Sequence, residues 1–263
     1  MIRAMKDFQV PMRVEVDKEA NSPTFGRFTT EAFERGFGTT IGNALRRVLL
    51  SSLEGAAVTS IQIRDVYQEF STIPGVKEDV TQIVLNVKKL RLKSFATHPV
   101  QLKLVKSGAG PVTAADISES ADVEIVNPDQ VLMTLDSDDV TIEMDLTVER
   151  GVGYVAADRA EALPIGVIAV DAIFTPVRKV NYWVDAMRVG QVTNYDKLTI
   201  EVWTNGSVTP RDAVSLSAKL VRDHLNIFVN LEDGDDDAIE SGSEPARAGV
   251  SNEHLDKSVE ELE

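Results

Sequence analysis

Residues 34–52, ERGFGTTIGNALRRVLLSS, compress a glycine turn, a helix start and an arginine pair into one segment. Gly36 and Gly38 free the backbone for conformations closed to residues bearing a Cβ. Thr39 or Thr40 then stands where a side-chain oxygen can cap the first N–H groups of a helix. Ile41, Ala44, Leu45, Val48, Leu49 and Ser52 recur at helical spacing and predict one buried face. Asn43, Arg47 and Leu50 define a second face, with Arg46 beside it. A helix of this composition is built to be touched from both sides.

Upstream, residues 12–16 and 25–32 alternate with period two around Asn21-Ser22-Pro23, which predicts a β-hairpin with one wet face. Downstream come a strand over 57–63, a loop over 70–76 and a short helical stripe of Val80, Ile83, Val84 and Val87. Short strands follow over 100–106, 123–126, 131–135 and 140–148. Longer alternation returns at Val180, Tyr182, Val184 and Ala186, then at Leu198, Ile200 and Val202. Thr209-Pro210-Arg211-Asp212 opens the longest helix, with Thr209 as N-cap, Pro210 in the first helical position and Asp212 at the positive end of the dipole.

Two apolar stripes run along that helix. Val214, Ala218, Val221, Leu225 and Phe228 follow coiled-coil spacing, and Ala213, Leu216, Leu220, Ile227 and Leu231 adjoin them. One stripe suffices for a surface helix, so two predict a sheet beneath and a second partner beside it. Five such side chains could contribute roughly 1.5–3 kcal/mol each before association costs. The pattern alone leaves a dimer and a larger monomeric core equally open.

Of the net charge of −15, −10 falls after residue 231, so the body is only mildly acidic. Phosphate neutralisation supplies most nucleic-acid affinity, so residues 1–231 are not expected to bind DNA directly. Cysteine is absent, which removes disulfides and thiolate metal sites and fits a reducing cytoplasm. No apolar run has signal-peptide or membrane-spanning length. Residues 232–254 read as an acidic disordered linker, and 255–263 regain a trace of pattern.

Four candidate chemistries are weighed against plainer readings. Gly36, Gly38 and Gly42 before a helix imitate a dinucleotide fingerprint. The preceding strand, however, alternates Arg27, Thr29 and Glu31 with Phe28, Thr30 and Ala32, whereas a strand buried on both faces would be continuously apolar. Asp233, Asp235, Asp237 and Glu244 match a calcium-loop template, but Ala238 stands where its sharp turn requires glycine. His98, His224 and His254 are scattered without second ligands. The basic run Lys88–Lys93 reads as a solvated edge strand, with docking to an acidic surface or nucleic acid as alternatives. No catalytic residue, cofactor site or metal site is expected.

ERGFGTTIGNALRRVLLSS closely resembles the N-terminal region of bacterial RNA polymerase alpha subunits. The likeness continues through 69–79 (EFSTIPGVKED), 106–116 (KSGAGPVTAAD), 123–126 (VEIV), 149–154 (ERGVGY), 164–166 (PIG), 170–172 (VDA) and 204–206 (TNG). It implies an α+β fold with a discontinuous dimerisation domain, residues 1–54 and 174–231, in which a sheet carries two packed helices. A mainly β domain, residues 55–173, would be inserted, and 255–263 would open a truncated C-terminal domain. The implied function is a non-catalytic assembly scaffold for a DNA-directed RNA polymerase, a cytoplasmic nucleotidyltransferase.

The resemblance tips the balance to a homodimer, with Phe37, Ile41 and Leu45 on the first helix and Val214, Val221, Leu225 and Phe228 on the second at its interface. It implies docking of the beta subunit at Arg47 and of beta-prime toward Lys88. Arg35, Asn43, Arg46, Ser71, Thr72, Gly75, Val170 and Arg178 complete the implied docking set. Omega and sigma would join in the assembled enzyme, and Mg and Zn would reside only in its large subunits.

Overall fold

Alternation at both ends of the chain closes into one antiparallel sheet, and the middle of the chain builds another. The computed structural model describes residues 11–17, 19–157, 163–189 and 192–229. Its elements begin with β1 (Val14–Val16), β2 (Phe25–Glu34), α1 (Phe37–Ser51), β3 (Glu54–Ile63) and α2 (Val80–Val87). Next are β4 (Leu92–Ser94), β5 (Val100–Ser107), β6 (Gly110–Thr113), β7 (Val123–Ile125), β8 (Val131–Leu135) and β9 (Thr141–Val152). The chain continues through β10 (Tyr154–Val155), β11 (Val167–Ala169), β12 (Ala172–Ile173), β13 (Val177–Val189), β14 (Val192–Thr204) and α3 (Pro210–Val229). Residues to His224 form one compact unit, and Leu225 starts a second.

The terminal sheet has the order β1-β2-β14-β13. β1 and β2 form the expected hairpin, with Val16 opposite Phe28. Phe28 also faces Ile200, which faces Tyr182, so apolar side chains from strands 150 residues apart meet on one face. Leu49 and Leu53 from the α1 end and Ala213 from α3 complete that core. The opposite face carries paired charges: Arg27 bonds Glu201 at 2.9 Å and Asp17 at 3.3 Å, and Lys197 meets Glu31 at 2.9 Å.

The larger sheet runs β5-β9-β3-β4-β7, with β11 also on β3, and β6–β8 and β10–β12 are separate ribbons. Its core is independent, built on Ile61, Ile83, Leu104, Leu132, Met144 and Leu146. The expected α2 forms, capped by Asp79, whose carboxylate accepts from Gln82 N at 2.7 Å. The mixed α+β class expected from the sequence is the class observed.

The Lys88–Lys93 run is not an edge strand. Lys88–Leu90 form the exit of α2, and Leu92 enters β4, which pairs with β3 on one side and β7 on the other. Leu92 is also buried, its side chain turned into the core of the larger sheet. The acidic segment 232–254, its calcium-loop template and residues 255–263 lie outside the described residues.

Gly55 and Gly151 pair across β3 and β9 where the chain returns toward the terminal sheet. A Cβ on Gly55 would lie 1.8 Å from the Phe174 carbonyl oxygen, and one on Gly151 would lie 2.8 Å from the Phe174 ring. The two glycines form a floor on which Phe174 is buried just ahead of β13.

Candidate functional site

The entry into α1 is shaped by a strained strand end. The β2–β14 register jumps from Thr30 opposite Leu198 to Phe33 opposite Asp196, and Ala32 takes a left-handed φ of 65°. Gly36, with φ 91°, is the N-cap of α1 and offers no side-chain oxygen. The cap comes from the sheet instead. Asp196 Oδ2 accepts from Gly36 N at 2.8 Å and from Gly38 N at 3.2 Å. The expected Thr39 or Thr40 cap is thus corrected: the helix begins at Phe37, so both threonines already lie in its first turn. Thr40 Oγ1 donates to the Gly36 carbonyl at 3.1 Å.

The buried side of α1 also differs from the expected stripe. Gly38, Gly42 and Leu49 are its buried residues, Ile41 and Leu45 are partly buried against the core, and Ser52 is exposed. A Cβ on Gly42 would meet Tyr182 at 2.6 Å and Leu198 at 2.8 Å, and one on Gly38 would meet Val184 at 2.9 Å. A helix approaches a sheet most closely along its smallest side chains, so the glycines turn toward the strands. That rotation leaves Ala44 and Val48 lining a shallow surface concavity with Thr39, Thr40, Asn43, Arg47 and Tyr182. Gly38 and Gly42 face side chains of the sheet, not a ligand space.

Arg35, Asn43 and Arg47 are exposed. Arg47 makes no ion pair among the described residues. Arg46 turns differently, its Nε donating to the Val180 carbonyl at 3.3 Å. In the loop before α2, Thr72 bridges Asp79, Ser71 Oγ donates to Gln68 O, and Gly75 turns with φ 78° against Val140.

Lys88 is committed inside the chain, its Nζ 2.6 Å from Asp171 Oδ2. That hydrogen bond, followed by the Lys88 charge and bonds from Tyr154 and the Ala157 backbone, holds the Asp171 carboxyl below its ordinary range against some desolvation. Val170, expected on the docking surface, is corrected: it is 3 % exposed, joins the core of the larger sheet, and its N–H donates to Thr59 O. An apolar side chain between Ile168 and Ala172, both buried, is held inward by its neighbours. Arg178 is exposed on β13.

On α3, Thr209 caps as expected, its Oγ1 accepting from Asp212 N at 3.2 Å while donating to Asp212 Oδ2 at 2.7 Å. Pro210, Ala213 and Ser217 are buried, with Val214 and Leu220 partly so. The stripe expected over the sheet is corrected at Leu216 and Ile227, which are exposed. Small residues again make the close contact, and a Cβ on Gly26 would touch Pro210 at 2.8 Å. Val221 is partly exposed, and Leu225, Phe228 and the half-buried Phe37 present apolar surface to water.

The geometry brings Asn43 and Arg47 to one concavity, and Lys88 to the 170–173 segment through Asp171. Asp196 and Phe174 take structural places that the sequence pattern did not single out. An alternating strand has no signal for a carboxylate that caps a distant helix. No group of three or more His, Cys, Asp or Glu among the described residues could hold a metal ion, and no described helix is long and apolar enough to cross a membrane.

The sequence has close relatives among known proteins. Residues 61–175 match the family described as the RNA polymerase Rpb3/RpoA insert domain. The chain is 49 % identical to the DNA-directed RNA polymerase subunit alpha of Geobacter metallireducens, over all of this chain and 77 % of the relative. It is 52 % identical to that of Alkaliphilus metalliredigens over 84 % of this chain and 70 % of the relative. The corresponding subunit of Roseiflexus sp. is 49 % identical over 98 % of this chain and 79 % of the relative. Identity at this level across nearly the whole chain admits one conclusion: the chain belongs to the family of DNA-directed RNA polymerase alpha subunits.

Proposed function

We propose that this subunit acts as the homodimeric assembly scaffold of the polymerase, with α1 and α3 forming the dimer and the outward face of α1 receiving the beta subunit. The observation that carries the docking reading is Arg47, exposed beside a concavity and without an ion pair among the described residues. A planar guanidinium so placed can pair with carboxylates or carbonyls in two directions. The dimer reading rests on the apolar side chains of Leu216, Val221, Leu225 and Phe228, which a partner copy would remove from water.

The chain itself takes no cofactor in this reading. Catalytic metal, with Mg and Zn, belongs to the large subunits, beta-prime docks on the side of Lys88, and omega and sigma complete a cytoplasmic enzyme. Arg47→Ala should leave the dimer intact and weaken co-purification of beta; wild-type amounts of beta would overturn the docking assignment. Val221→Asp with Leu225→Asp should give monomers by sedimentation equilibrium, and an unchanged mass would overturn the dimer assignment.

A further inference from the structure

Ala32, in the bulge at the end of β2, gives its N–H to a sulfur atom. Between the pairs Phe33–Asp196 and Thr30–Leu198, Glu31 and Ala32 of β2 stand against the single Lys197 of β14. The Ala32 N–H donates to Met187 Sδ at 3.1 Å. That separation is usual for an oxygen acceptor and close for the larger sulfur, itself a weak acceptor. Met187 lies on β13, across β14 from β2, so its side chain spans the strand between them. Asp196 pairs with Ala186 on one side and Phe33 on the other, the chain neighbours of Met187 and Ala32. Its carboxylate caps Gly36 and Gly38 at the start of α1. Sulfur contact, bulge and helix cap are therefore one connected strand end.

The other described methionines are placed differently. Met133 and Met144 are sealed in the core of the larger sheet, and Met12 is almost fully exposed ahead of β1. Met187 is only partly buried, so an oxidant can reach a sulfur on which local structure depends. With hydrogen peroxide, the sulfur lone pair attacks one oxygen, the O–O bond breaks and the other oxygen leaves as water. The sulfur loses two electrons, the peroxide gains them, and the product is a sulfoxide. A polar group with a strong oxygen acceptor then replaces a weak one. At 3.1 Å there is no room for that oxygen between Sδ and Ala32 N, so the bond in its present form is lost.

We propose that Met187 is a peroxide-sensitive modification site whose oxidation releases the bulge at Ala32 and loosens the start of α1. Its reagent class is a two-electron oxygen donor, and methionine sulfoxide reductases restore the thioether. The inference is independent of the docking and dimer readings, because it concerns the seat of α1 and not what touches the helix.

The test treats the full chain with hydrogen peroxide in a Met12→Leu background, which removes the most exposed sulfur among the described residues. Peptide mass spectrometry should find one added oxygen at Met187 and none at Met133 or Met144. Hydrogen exchange over residues 31–40 should then quicken about tenfold, the effect of one lost hydrogen bond on a local opening equilibrium. Treatment with the reductases should return it to its starting rate. A chain carrying both Met12→Leu and Met187→Leu should show no response to peroxide over residues 31–40. The inference is overturned by a Met187 left unoxidised at a dose that saturates Met12 of the wild-type chain. It is equally overturned by an oxidised Met187 with unchanged exchange over 31–40, or by a response that persists in Met187→Leu.

Discussion

Asp196 on β14 holds the N–H of Gly36 at 2.8 Å, and with it the start of α1. The positive end of the helix dipole and its unpaired N–H groups therefore find their acceptor in a residue 160 positions away. Because Gly36 carries no capping side chain, the carboxylate is the link between helix entry and sheet. Asp196→Ala should destabilise the protein by about 1–2 kcal/mol, read as a shift in urea midpoint. Asp196→Asn, which keeps an acceptor oxygen, should recover part of the loss. A variant as stable as wild type would show that the cap is energetically idle.

Gly55 tests the floor beneath Phe174. The Cβ of Gly55→Ala would sit 1.8 Å from a carbonyl oxygen, and backbone, unlike a flexible side chain, cannot swing away. The expected cost is about 3 kcal/mol, at the upper end of overpacking effects. Gly153→Ala meets no heavy atom within 4 Å but takes a positive φ of 73°, so its expected cost is only about 1 kcal/mol of backbone strain. Equal thermal shifts for the two variants would argue against the close approach.

Ser217 is fully buried on α3, and its hydroxyl has no hydrogen-bond partner among the described residues. Ser217→Ala removes the unpaired oxygen and improves helix propensity, leaving the small volume that the contact requires. The melting temperature should rise, by about 1 kcal/mol of stability. A lower melting temperature would mean that the hydroxyl is satisfied in solution.

Asp171 gives a pH dependence with a definite sign. Its carboxyl titrates below the usual value near 3.8 because Lys88 bonds the charged form. The folded protein thus binds this proton less readily than the unfolded chain. The pair adds stability that is fully present above the unfolded pKa and is lost as pH falls through the lower folded value. A carboxyl-carbon NMR titration should place the Asp171 midpoint below that of an exposed aspartate, and Lys88→Met should move it upward. An unmoved midpoint would break the assignment.

Local patterns foretold the elements whose cause is local. Period-two alternation marked β1 and β2, the stripe of Val80, Ile83, Val84 and Val87 marked α2, and Thr209-Pro210 marked the start of α3. Helical spacing correctly placed a helix after Gly36 but missed its buried face. Apolar spacing weighs side-chain size, whereas close packing chose the residues without side chains, Gly38 and Gly42. Val170 was misplaced for a related reason: three residues of context cannot reveal a neighbouring core.

The sequence by itself determined the α+β class, the order of strands and helices, and the polymerase alpha family, because periodicity, caps and motif residues act over a few neighbouring positions. Tertiary structure alone decided which face of α1 is spent on the sheet and which is left to water. It also decided that Asp196 caps that helix and that Phe174 rests on Gly55 and Gly151. These are contacts between residues distant along the chain. They depend on strand register and on how near a helix can approach a sheet, quantities that no local pattern of residues encodes.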